Sequence, residues 1–137
     1  MKSRWSFGAA CALGMVAGAA AACDPPRPGP DAVRVESGNW TLSYRTRPDK
    51  IVVGQHFSVE IGLCGRSGPD EPQRLLVDAH MPEHRHGMNY RPSVVREGEG
   101  RYRAEGLMFH MPGRWEFLFE LHSAGRIDRL AHGRQLD

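Results

Sequence analysis

At 137 residues, with 40% hydrophobic and 25% charged side chains and a formal net charge of +2, the chain has room for one domain of ordinary size. Lys2 and Arg4 are the only charged residues before position 23, and without them 16 basic side chains face 16 acidic ones. That balance excludes the clustered positive excess of a nucleic-acid-binding surface, so no nucleic-acid partner is expected.

The first element is an export signal over residues 1–22. Lys2 and Arg4 form a short positive region, and Phe7 to Ala22 is apolar and small, too short and alanine-rich for a membrane span. Ala20-x-Ala22 suits an ordinary signal peptidase, while small residues before Cys23 resemble a lipoprotein processing site, although leucine usually stands where Ala20 is. Both readings cut after Ala22. Residues 23–36, opening Asp24-Pro25-Pro26-Arg27-Pro28-Gly29-Pro30, read as an extended proline-rich tether that favours lipidation of Cys23 and attachment to a bacterial membrane on its periplasmic side. With Cys11 in the signal and Cys23 acylated, Cys64 stands alone. No structural disulfide is then expected, and Cys64 reads as a small buried residue, with a soft metal ligand as the lesser alternative.

From residue 37 to 137 the pattern has period two, not 3.6. Trp40, Leu42 and Tyr44 alternate with Thr41, Ser43 and Arg45, and after a Pro48-Asp49 turn Phe57, Val59, Ile61 and Leu63 repeat the pattern. A loop over 65–73 leads to a strand over 74–79. Further strands are expected over 93–96, 101–105 and 107–110, with turns at 97–100 and at Gly106. Trp115, Phe117, Phe119 and Leu121 form the strongest inward row, and a short strand over 127–130 precedes a frayed polar tail. Short strands at close intervals predict a single antiparallel immunoglobulin-like β-sandwich.

Of the 7 histidines, His80, His84, His86 and His110 fall within 80–111, and of the 6 methionines so do Met81, Met88, Met108 and Met111. Imidazole is the commonest metal ligand and thioether a soft donor that favours Cu(I). On the strand map both clusters lie in loops, at 80–88 and at Met111-Pro112-Gly113. His84 and His86 leave the same face of an extended chain about 7 Å apart, close enough for two rings to meet one ion. Gly87 lets Met88 turn toward it, and His110 or Met111 supplies the remaining donor. The expected ligands are thus His84, His86, Met88, His110 and Met111, with His80 of second rank. The plainer reading leaves the loop histidines solvated, with Met81 and Met111 plugging the core before their prolines. His56, His122 and His132 are isolated and read as ordinary strand or surface residues. The two loops share a site only if both emerge at one end of the sandwich.

His80-Met81-Pro82-Glu83-His84-Arg85-His86-Gly87-Met88, together with Gly100-Arg101-Tyr102 and Phe109-His110-Met111-Pro112-Gly113-Arg114-Trp115, resembles the YtkA-like domains and their FixH-like relatives over about residues 37–122. The resemblance implies an exported or membrane-tethered immunoglobulin-like sandwich, linked with copper handling or respiratory-oxidase maturation. This chain lacks the retained N-terminal membrane helix of the FixH pattern. The expected function is a periplasmic copper-binding domain for buffering, delivery or oxidase maturation, with a copper-receiving protein or respiratory complex as partner. The alternative is a metal-free interaction module docking on a membrane or cytochrome complex. No nucleophile or carboxylate pair is arranged for catalysis, so no enzyme is expected.

Overall fold

The protein is described here by a computed structural model covering residues 23–66 and 71–137, so the expected export signal lies outside the described residues. The strands are β1 (Val33–Ser37), β2 (Trp40–Arg47), β3 (His56–Gly65), β4 (Arg74–Met81), β5 (His86–Gly87), β6 (Ser93–Gly98), β7 (Arg101–Met108), β8 (Gly113–Ser123) and β9 (Arg126–Leu136), and no helix occurs among the described residues. They form a five-stranded sheet, β1-β2-β3-β7-β6, and a four-stranded sheet, β5-β4-β8-β9. All pairings are antiparallel. The alternating rows explain the layering: Trp40, Leu42 and Tyr44 of one sheet face Phe117, Phe119 and Leu121 of the other, and all six are buried. Each large aromatic side chain withdrawn from water contributes roughly 2–3 kcal/mol.

Three boundaries differ from the sequence reading. Gly106 does not end a strand. Val59 pairs with Ala104 and Phe57 with Leu107, so two residues of β7 oppose one of β3 in a bulge, with Gly106 at φ +85°. The extra residue lets Ala104 and Leu107, three apart, both face inward. The Met111–Gly113 turn is a crossover between sheets, since β7 and β8 belong to different ones. The polar tail is also ordered: β9 pairs with β8 along its whole length, from Ser123↔Arg126 to Gly113↔Leu136. Its inward positions escape a hydrophobic pattern because the opposite sheet supplies polar partners. Trp40 Nε1 donates to Asp128 Oδ2 at 2.8 Å, and the Tyr44 hydroxyl lies 2.7 Å from His132 Nδ1. Burial pushes the Tyr44 phenol well above its ordinary pKa.

The N-terminal segment is not a free tether, and the boundary expected between residues 36 and 37 falls inside β1. Cys23 is joined to Cys64 by a disulfide with the Cα atoms 6.1 Å apart. This overturns the expectation of an unpaired Cys64. In that pairing the Cys23 sulfur, the expected lipidation site, is bonded to Cys64. Beyond the disulfide the chain runs against the outer face of the five-stranded sheet, where Ser43 Oγ donates to the Pro26 carbonyl at 3.0 Å. A side chain at position 62 is impossible there: a Cβ on Gly62 would stand 1.6 Å from the Pro26 oxygen.

Candidate metal centre

The 80–88 segment is a tight hairpin and not a loose loop. β4 continues through Met81, and β5 returns with His86 opposite Met81 and Gly87 opposite His80. The amides of His84 and Arg85 both donate to the Met81 carbonyl, at 3.2 and 2.9 Å, which closes the turn. Arg85 adopts a left-handed φ of 56° to complete it. Directly opposed residues of an antiparallel pair share a face. Met81 is 1% exposed, so its partner His86 is carried to the core side of the hairpin. The Met88 amide then bonds the Ala79 carbonyl at 3.2 Å, which draws Met88 partly into the core.

The second loop arrives at the same end. The rings of His86 and His110 are 5.1 Å apart between centres, and those of His84 and His86 are 5.8 Å apart. A ring nitrogen binds a first-row metal at about 2 Å with its ring centre about 1 Å behind, so two imidazoles on one ion have centres no more than about 6 Å apart. Both spacings fall inside that limit. Trp115, fully buried, forms the floor: its ring lies 6.0 Å from His86 and 5.3 Å from His110, and it stacks on Phe109 at 4.3 Å. Its indole N–H donates to the Met111 carbonyl at 3.0 Å, fixing the crossover turn over the aromatic floor. Met81 approaches that turn from β4. A Cβ on Gly113, whose φ is +123°, would stand 2.7 Å from the Met81 methyl carbon, so glycine is what lets the thioether lie against the turn.

The nitrogens are disposed for ligation to differing degrees. His86 Nδ1 lies 3.2 Å from the Gly87 carbonyl. When Nδ1–H donates there, the lone pair is left on Nε2. His110 Nδ1 is buried with no hydrogen-bond partner, an arrangement that leaves a polar atom short of a bond. His84 is exposed on the turn, while His86, Met88, His110 and Met111 are half-buried. Of the five expected ligands, then, the fold brings the His86 and His110 rings together over the tryptophan and sets His84 on the rim. Met88 and Met111 pack, partly buried, against the hydrophobic core. His80 does not join them. It points to the outer face of the sheet, where Nε2 meets Glu116 Oε1 at 2.9 Å. Among the described residues, no three His, Cys, Asp or Glu side chains are grouped to hold a metal. Two imidazoles, with methionine sulfur if a thioether joins them, are donors that fit copper and suit calcium or magnesium poorly.

Met81 and Trp115 are the participants that sequence reasoning passed over. Met81 is buried in the core, as its core-plug reading expects, and the register of the β4–β5 hairpin also sets it opposite His86. Trp115 belongs to the inward row that the sequence predicts, but its place near the start of β8 sets it beside both histidines.

The same end carries other features. Gly54 N–H bonds the Phe109 carbonyl at 2.8 Å, bringing the β2–β3 loop alongside. In that loop Val52 is exposed, and so is Tyr90, whose ring meets His56 at 5.0 Å. A hollow of the surface lies elsewhere, between Pro26, Leu63, Glu71 and Gly100. Compared with known proteins, the chain matches no family model, no curated protein and no solved structure.

Proposed function

We propose that this β-sandwich binds copper at the end where the two histidine- and methionine-bearing turns meet, and buffers or delivers it in an oxidising compartment such as the periplasm. The observation that carries the reading is the 5.1 Å spacing of His86 and His110, two residues 24 positions apart in sequence, above a buried tryptophan. The donors are His86, His110 and the thioethers of Met88 and Met111, with Met81 reaching the same turn and His84 at the rim. Copper is the cargo in this reading, so the protein's task is to hold a soft ion and keep water from its inner side. Trp115 and Phe109 supply the dry wall, and imidazole and thioether supply bonds that Zn²⁺ does not prefer over Cu⁺. Kinship with YtkA-like domains and an immunoglobulin-like strand plan belong to the same proposal, and a respiratory complex or copper acceptor is its natural partner. The disulfide supports export, since such bonds persist in oxidising compartments.

Titration of the purified domain with Cu(I) and with Cu(II), read by competition with a coloured chelator, is the direct test. One ion per chain is expected, with affinity falling about 100-fold or more in His86→Ala/His110→Ala, as when ligands are removed from a metal site. Equal binding by wild type and variant, or no binding by either, sinks the reading. A metal-free docking module is the second reading, favoured by the exposed Val52 and Tyr90 beside the turns. Capture of a cytochrome or membrane partner that survives a strong copper chelator is its expected signature.

A further inference from the structure

The three histidines at this end are not grouped around a point. They form a file only in the sense that His86 links the other two: His84 to His86 at 5.8 Å, His86 to His110 at 5.1 Å, with no group of three among the described residues that could hold a metal. Exposure falls along the file. His84 projects from the turn into solvent, His86 is half-buried on the inner side of the hairpin, and His110 ends in a buried Nδ1 without a partner against the Trp115 ring. His86 is within reach of each of the others.

Resting on the copper reading, we infer that the file divides the work of binding. His86 and His110, with thioether, are the resting ligands of Cu(I), and His84 is the outer ligand that shares the ion with His86 while it passes to or from an acceptor. The division follows from the spacings. Because the three rings form no group that holds one ion together, an ion shared by His86 and His110 is not also held by His84, whereas one shared by His84 and His86 lies at the rim, where an incoming thiolate or imidazole can attack. Ligand exchange at Cu(I) then proceeds by replacing one donor at a time, and no step leaves the ion with a single bond. No redox change is involved: Cu(I) enters and leaves as Cu(I). A group that lowers the barrier without holding the ion at rest accelerates binding and release by the same factor, so the equilibrium constant is untouched.

The test separates rate from affinity. Under anaerobic conditions, Cu(I) supplied as its bicinchoninate complex is mixed with wild type, His84→Ala, His84→Met and His86→Ala, and both the stoichiometry and the rate of exchange back to chelator are recorded. For His84→Ala the affinity is expected to stay within about threefold while exchange slows about tenfold or more in both directions, a separation unlike the usual case where affinity follows the off-rate. His84→Met restores the rate, because a thioether also accepts Cu(I). His86→Ala loses affinity outright. A fall in affinity for His84→Ala equal to that of His86→Ala makes His84 a resting ligand and overturns the division of roles, as does an unchanged exchange rate. Absence of Cu(I) from the wild type is a different result: it removes the copper reading itself, and the file with it.

Discussion

Arg85 is the one non-glycine residue with a left-handed backbone among those described, at φ 56°. An L residue bears a steric cost of about 1 kcal/mol there, which glycine escapes. The β4–β5 turn nevertheless closes, because His84 and Arg85 both bond the Met81 carbonyl. Arg85→Gly is therefore expected to raise the urea midpoint, with a gain of about 0.5 kcal/mol once glycine's extra freedom in the unfolded chain is subtracted. The slope of the transition should not change. A lowered midpoint would show that the arginine side chain itself secures the turn. At this scale the sequence was legible in part. The clustering of His84, His86 and Met88 is visible in the chain, but the face each one takes is not. Face depends on the register of a two-residue strand, and a shift of one position exchanges inside for outside.

At the scale of elements, Glu71 joins two turns. Its carboxylate accepts from the Gly100 amide and from Arg96 at 3.0 and 2.9 Å, tying the start of the segment before β4 to the β6–β7 turn. The Gly100 N–H, and after it the Arg96 guanidinium, outweigh burial and hold the Glu71 carboxyl below its ordinary pKa. The sign follows. A carboxyl depressed in the folded state binds its proton more weakly there than in the unfolded chain. Its contribution is present above the unfolded value of about 4.3 and is lost as pH falls through the depressed folded value. Glu71→Gln is expected to lower stability at pH 7 and to flatten the loss of stability below about pH 5, followed by urea melts at several pH values. Identical acid limbs for variant and wild type would refute this role. Neither partner could be paired from sequence, since Glu71 and Gly100 are 29 positions apart with three strands, β4, β5 and β6, between them. The opposite lesson comes from β9, whose 11 residues carry Asp128, His132 and Arg134 at inward positions. Polar residues there look like a tail until Trp40 and Tyr44 of the facing sheet supply partners for Asp128 and His132, and the Asp49 carbonyl one for Arg134.

Over the whole molecule, the Cys23–Cys64 disulfide encloses the β1–β2–β3 meander, with its ends 41 residues apart. Closing a loop of that length removes unfolded-state entropy worth about 4 kcal/mol. Reduction, or Cys64→Ser, is thus expected to lower stability by about 2–4 kcal/mol, measured as the change in urea midpoint with and without reductant. Mass spectrometry of the exported protein gives the companion check: a chain lighter by two hydrogens and free of lipid at Cys23. A lipidated Cys23 with a free Cys64 thiol would contradict the pairing. Neither cysteine's fate could be chosen from the chain. Cys23 stands where lipoprotein processing reads naturally, and the prolines after it look like a spacer. Only contact with the sheet at Gly62 and Ser43 shows that the segment is packed.

What the sequence determined by itself was the period: alternation of Trp40-Leu42-Tyr44 and of Trp115-Phe117-Phe119-Leu121 makes two half-wet sheets unavoidable, because each needs one dry face. It also placed imidazole and thioether in one window. The tertiary structure decided which residues meet. Pairing of cysteines, capture of Asp128 and His132 by aromatic partners, and the approach of His86 to His110 all join positions far apart in the chain, and alternation along a single strand carries no information about its neighbours.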